Sequence, residues 1–167
     1  ITKLVKLNNP LANVDNALNA INIETDHLDN LFLEGQGAGG KPTASSVLSD
    51  LYEIAKSNSF ENLGFKTKNL IDFKKYNSKN IINSYYLRIM TEDKPGVLSS
   101  ITNNFSESGI SVEKILQLPE NINNDFPIPI IITTHKIQKE ILNSVINKIE
   151  KLSFVKEKIS ILAIHEN

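Results

Sequence analysis

The sequence predicts an α+β protein, and three observations carry that expectation. Between residues 81 and 167, short alternating apolar runs are interleaved with two helical stripes. Residues 1–34 hold further alternating runs without a helical period, and one helical stripe follows them. A polar stretch with neither period separates the two regions.

The elements follow in order. "ITKLVKL" sets Ile1, Val5 and Leu7 on one face, with Lys3 interrupting it. "NAINIE" and "NLFLEG" alternate with period two on either side of the polar "TDHLDN", which predicts a hairpin. Pro42 suits the first turn of a helix, where its missing N–H costs nothing. Val47, Leu51, Ile54 and Ala55 then mark one helical face to about residue 57. Residues 57–80 are lysine-rich and polar with scattered Phe60, Phe65, Phe73 and Tyr76, and they form the expected boundary between domains. "INSYYLRIM" reads as a strand, "DKPG" as a turn, and Val97, Leu98, Ile101 and Phe105 as a helix face ended by Gly109. "ISVEKILQL" alternates as a strand, and "IPIIITT" is an inner one. Ile141, Leu142, Val145, Ile149 and Leu152 mark a second helix, and "VKEKISILAI" closes with a strand. The order β-α-β-β-α-β is the ferredoxin-like arrangement, four antiparallel strands backed by two helices. The expected organisation is therefore a first segment at 1–58, a linker at 59–80 and a ferredoxin-like domain at 81–167.

Charge excludes some functions. Residues 1–80 hold nine Lys and nine Asp/Glu, and residues 81–167 hold nine Lys/Arg and ten Asp/Glu. No basic patch for nucleic acid stands out, and Arg88 is the only arginine available for a guanidinium fork. No apolar run nears the roughly 18 residues of a membrane helix. The absence of cysteine excludes disulfides and thiolate zinc sites, and fits a reducing, cytoplasmic setting. His27, His135 and His165 share no metal-ligand spacing, so no metal site is expected. The first residue is Ile and no leader pattern follows, so the chain reads as processed or partial.

The stretch "GQGAGGKPTASS" fits two phosphate-binding patterns. Gly35, Gly37 and Gly40 satisfy G-x-G-x-x-G, and Gly35, Gly40 and Lys41 satisfy G-x-x-x-x-G-K. A P-loop needs Ser or Thr after its lysine to hold magnesium, and Pro42 stands there. A dinucleotide fingerprint needs a second strand with an acid about 20 residues on, and the helix instead runs into the polar linker. What remains is a glycine turn opening a helix. Such a turn either admits an anionic ligand to bare backbone and free N–H groups, or packs closely on a neighbour.

"PLANVDNALNAINI" followed by "GQGAGGKPTASSVLSDLYEIA" resembles the end of the catalytic region of homoserine dehydrogenase, with its P-L-A…N-A…G-x-G-A-G-x-x-P-T-A-S-x-V…D pattern. From Tyr85, "YYLRIMTEDKPGVLSSIT", "GISVEKILQ" and "IIITTHKIQKE" resemble the ACT domain that bacterial members append. The resemblance covers almost the whole chain, least well in the linker. Gln36 departs from it where proline is common, which concerns loop stiffness rather than chemistry. It implies an enzyme interconverting homoserine and aspartate semialdehyde with NAD or NADP, in threonine, methionine and isoleucine biosynthesis. It also implies that the family's nucleotide-binding domain, catalytic lysine, substrate-binding acids and sodium site have no counterpart here. No catalytic residue is therefore assigned in this chain. Gly39 is the residue carried over as cofactor-contacting, with Gly37, Ala38, Gly40 and Thr43 beside it.

"EDKPGVL" places a Pro-Gly turn at a strand end and starts a helix at once, a setting that suits a carboxylate. The ACT resemblance implies a small amino acid bound near this loop, where two domains pair, with threonine as the expected effector and at least a dimer as the assembly. Asp93, Pro95, Gly96, Val97, Leu98, Ser111 and Gln117 are the candidates. Asp93 suits either a ligand ammonium or a helix cap, Gly96 either a ligand or the turn itself, and Ser111 and Gln117 either a ligand or solvent. A non-enzymatic ACT regulator is the alternative reading, and "GAGGKPTAS" is the feature for which it has no use.

Overall fold

The computed structural model describes residues 2–56, Lys68, 81–117 and 127–165. The linker expected at 59–80, with its scattered aromatics, lies outside the described residues apart from Lys68. The chain divides into two compact units, Leu7–Lys75 and a second that joins Ile1–Lys6 to Tyr76–Asn167.

The second unit is built on β4 (Ile82–Thr91). Tyr85, Leu87, Ile89 and Thr91 point to one face and are buried there, as strand alternation requires. β4 lies antiparallel between β6 (Ile128–Thr134) and β8 (Ser160–His165), and β5 (Val112–Gln117) pairs antiparallel with β6. The order β8-β4-β6-β5, with α2 (Val97–Glu107) and α3 (Lys139–Ile149), is the predicted βαββαβ arrangement. The two-residue β7 (Ile137–Gln138) pairs with the start of β4.

Both helices use one stripe. Val97, Ile101 and Phe105 of α2 join Leu142, Val145, Ile146 and Ile149 of α3 in a core with Leu87, Ile89, Ile130 and Ile132. Each such side chain contributes about 1.5–3 kcal/mol on burial. Gly109 ends α2 as its sequence position predicts. At φ +68° it lets Gly109 N donate to Ser106 O and Ile110 N to Phe105 O. That pair of bonds satisfies the last carbonyls, and Ile110 and Phe105 both enter the core.

One placement differs from the sequence expectation. β1 (Lys3–Val5) does not join the first segment. It pairs parallel with β8, Lys3 opposite Ala163, and extends the sheet of the second unit to five strands in line.

The first unit opens with a short 3-10 turn, Pro10–Asn13, capped by Asn9, whose Oδ1 accepts from Leu11 N at 2.9 Å. β2 (Leu18–Thr25) and β3 (Asp29–Gln36) form the predicted hairpin, in register from Leu18–Gln36 to Thr25–Asp29. Its tight loop closes through Asp29 at φ +54°, a conformation Asp tolerates, and through Leu28 N donating to Thr25 Oγ1. α1 (Gly40–Lys56) follows. Among the described residues of this unit only Asn9 is buried. Ile21 and Ile23 face Leu33 and Leu31 across the hairpin, and all four are exposed. Val47, Leu48, Leu51, Tyr52 and Ile54 of α1 are exposed as well.

Candidate functional site

The glycine turn is shaped by two different constraints. Gly39 has φ +125°, which L side chains rarely adopt, and the only atoms a Cβ there would approach are Pro42 Cδ and Cγ, at 3.4 and 3.7 Å. Its carbonyl accepts from Thr43 N at 3.1 Å and from Thr43 Oγ1 at 2.8 Å, so Gly39 caps α1 and Thr43 locks the first turn. Ser46 Oγ adds a bond to Pro42 O at 3.1 Å. Gly37 is constrained by space: a Cβ would collide with the Asn19 side chain, while Gly37 N donates to Ala17 O at 2.9 Å. Close packing therefore explains Gly37, and conformation explains Gly39. Gly40 has nothing within 4 Å of its Cβ position, so backbone at the helix start is open to a neighbour. The first N–H groups of α1 have no partner in the preceding turn. Ala38 and Gly40 flank Gly39 on this open side of the turn. Asn19, which sequence reasoning missed, reaches the turn through the hairpin. No local spacing signals it.

The second candidate region lies beyond the end of β4. Asp93, Pro95, Gly96, Val97, Leu98 and Gln117 line one cavity of about 360 Å³. Gly96 caps α2 at φ +89°, its carbonyl accepting from Ser100 N at 2.9 Å, with open space at its Cβ position. Gln117 Nε2 donates to Asp93 Oδ1 at 3.2 Å, which joins the end of β5 to the turn. The Val97 side chain belongs to the core.

Ser111 is not brought to this cavity. It precedes β5, whereas Gln117 ends it, about 20 Å away at the usual strand rise. Ser111 O instead accepts from His135 N at 3.0 Å. A bulge between Val112 and Lys114 also breaks the alternation that placed Ser111 and Gln117 on one face. Two contributors were not visible in the sequence. Ile130 lines the cavity from β6, and Glu92 pins the turn through ion pairs to Lys94 at 2.7 Å and to Lys156. Hydrogen bonds from Lys156 first, then Lys94, lower the Glu92 carboxyl from 4.5 to about 2.

Among the described residues no group of His, Asp and Glu is placed to hold a metal ion, and no helix is long and apolar enough to cross a membrane.

Residues 2–52 match the homoserine dehydrogenase family profile, and residues 85–154 match the ACT domain profile. The chain is 34% identical over 151 residues to a homoserine dehydrogenase of Pseudomonas aeruginosa, covering 87% of the chain and 35% of that protein. It is 34% identical to the Bacillus subtilis homoserine dehydrogenase over 89% of the chain and 34% of that protein. A solved homoserine dehydrogenase from Thiobacillus denitrificans superposes with a TM-score of 0.76 at 30% identity, over 98% of this chain and 38% of that one. The chain thus spans about a third of the length of these relatives.

Proposed function

We propose, for a chain that belongs to the homoserine dehydrogenase family and joins a segment of it to an ACT domain, that it forms the C-terminal part of a working homoserine dehydrogenase. The whole enzyme interconverts homoserine and aspartate 4-semialdehyde with NAD or NADP, serving threonine, methionine and isoleucine biosynthesis. The observation that carries this reading is the family match over residues 2–52, which a free-standing ACT regulator would not share.

In this reading residues 1–58 complete the catalytic region, 59–80 connect, and 81–167 regulate, with β1 lent to the regulatory sheet. The turn fits a place beside the nicotinamide cofactor. Gly40 presents backbone with open space at its Cβ position, and Gly39 holds a conformation that other residues resist. Ala38 and Thr43 shape the same turn, and Gly37 sets its packing on Asn19. The cofactor, when bound, supplies hydride transfer. The bare apolar faces of the hairpin and of α1 fit a segment that packs against the rest of the catalytic region. These 167 residues alone should show no homoserine-dependent reduction of NAD or NADP, and turnover above a heat-killed control defeats the division of labour proposed here.

The Asp93–Leu98 cavity takes a small amino acid, with threonine as the expected effector. The helix start and Gly96 receive the carboxylate, and Asp93, held by Gln117, receives the ammonium. Two such domains pair, making the assembly at least a dimer, in a cytoplasmic setting. Threonine titration of the chain with thermal unfolding and light scattering tests this. A raised melting temperature and a dimer support it, while a monomer unmoved by threonine, methionine, isoleucine or lysine overturns it.

A further inference from the structure

The Asp93–Leu98 cavity carries both signs of charge side by side. Glu92, Asp93 and Lys94 follow one another in sequence, and all three line it. Asp93 is met by a neutral donor, Gln117 Nε2, which leaves its negative charge uncompensated by that bond. Lys94, its neighbour in the chain, is a built-in competitor for that charge. Glu92 holds this lysine elsewhere: Lys94 Nζ lies 2.7 Å from Glu92 Oε2. Glu92 itself is fixed from outside the turn. Its Oε1 pairs with Lys156, its N–H donates to Phe154 O at 3.0 Å, and Lys156 N donates to Met90 O at 2.9 Å. Lys156 Nζ also donates to Ser153 O at 3.3 Å. One carboxylate therefore spans two lysines, one on the turn and one behind it.

Within the effector reading given above, on which this rests, we infer that Glu92 is a positioning residue that reserves Asp93 for a ligand ammonium by keeping Lys94 off it. With Glu92 in place, Lys94 and Lys156 share its carboxylate, and Asp93 is left for the ammonium. Without it, Lys94 is freed beside Asp93, and an amino acid has to displace a cation tethered at high effective concentration. A site so altered loses its preference for ligands that carry an ammonium group, because their cation meets an acid already neutralised. Both lysine side chains are partly exposed, so the expected effect is modest.

The test is calorimetric titration of the 167-residue chain with threonine and with 3-hydroxybutyrate, which is threonine without its ammonium group. The unaltered chain should bind threonine in preference to 3-hydroxybutyrate. Glu92→Gln should weaken threonine by about fivefold, the upper end for a solvent-facing ion pair, and change 3-hydroxybutyrate by less than about twofold. Adding Lys94→Gln to Glu92→Gln should restore threonine to within about twofold of the unaltered chain, because the competing cation is gone. A Glu92 that merely braces the turn gives the opposite result: both ligands weaken together, and the double variant binds no better. Lys156→Gln, which loosens Glu92 from behind, should weaken threonine in the same direction, and serves if Glu92→Gln perturbs folding. No binding of threonine to the unaltered chain overturns the effector reading and the role of Glu92 with it. Threonine binding that is unchanged in both Glu92→Gln and Lys156→Gln, or not recovered in the double variant, overturns the role of Glu92 alone.

Discussion

Phe105 in α2 is 1% exposed, whereas Leu48 in α1 stands at 65%, although both lie on amphipathic helices. The same contrast holds for strands. Leu87 and Ile89 of β4 are fully buried, while Ile21 and Leu33, paired across β2 and β3, are more than half exposed. Both units form regular hydrogen-bonded elements among the described residues. Among the described residues, only one shows a second layer packed on its apolar face. Pattern therefore specifies an element, but burial needs a partner surface, and most of the stabilisation comes from burial. In the proposed reading the first unit's partner is the remainder of the catalytic region. In that same reading the unit with a core carries regulation, and the other carries a piece of an active site.

The sharpest way to break this contrast is to truncate side chains on each side of it. Phe105→Ala should lower the unfolding free energy of the chain by about 3–5 kcal/mol in urea titration. Leu48→Ala should change it by less than about 0.5 kcal/mol, as at an open surface. Equal losses would mean that α1 is packed in solution after all. In the complete enzyme the Leu48 effect should grow towards that of a core position.

The next effect is ligand stabilisation of the unit with a core. Threonine at a hundredfold excess over its Kd should add about 2.7 kcal/mol. Gln117→Ala, which frees Asp93, should reduce the shift in melting temperature. Gly96→Leu should abolish it, but the φ of +89° there adds backbone strain of about 1–3 kcal/mol. Gln117→Ala is thus the cleaner variant. A full shift in both would move the effector away from this turn.

A smaller effect is expected at Gly39. In the complete enzyme Gly39→Val should raise the Michaelis constant for the cofactor about tenfold, since strain of 1–3 kcal/mol spans that factor. Gly37→Ala, which collides with Asn19, should instead reduce stability with little change in that constant. If both variants alter only stability, the turn is structural.

The smallest is acid sensitivity at Glu92. Its carboxyl is lowered in the folded chain to about 2 from 4.5, so its ion pairs stabilise above about pH 4.5 and are lost as pH falls through 2. The group is solvent-facing, and the gain is modest. Glu92→Gln should flatten that part of the acid unfolding profile, and an unchanged profile would show that the pairs are not maintained in solution.

The βαββαβ unit was legible because Tyr85–Leu87–Ile89, Ile130–Ile132 and the two helix stripes each repeat a period set by a buried face. The hairpin was legible for the same reason, together with the polar "TDHLDN" between its strands. The pairing of β1 was not: a three-residue edge strand carries too little pattern to name a partner, and that partner lies at the other end of the chain. Ser111 lies away from the Asp93–Leu98 cavity because it stands at the opposite end of β5 from Gln117, and the register shift within β5 has no composition signal in "ISVEKILQ". In the turn, positive φ at Gly39 follows from glycine chemistry, but the crowding of Gly37 by Asn19 depends on the hairpin register. Glu92 reaches Lys156 across more than sixty residues of chain, and only the tertiary fold brings them together.

The pairing of β1 with β8 has a kinetic consequence. Its two strands are separated by about 160 residues, so closing that loop carries the largest chain-entropy term of any contact in the sheet, growing as the logarithm of loop length. The core of α2, α3 and the four central strands needs no contribution from β1, so it can form first and the short strand can dock last. By the same token it should be the first part of the sheet to open. Amide exchange at Leu4 and Val5 should outrun exchange at Leu87 or Ile132, with the edge of β8 laid bare at each opening.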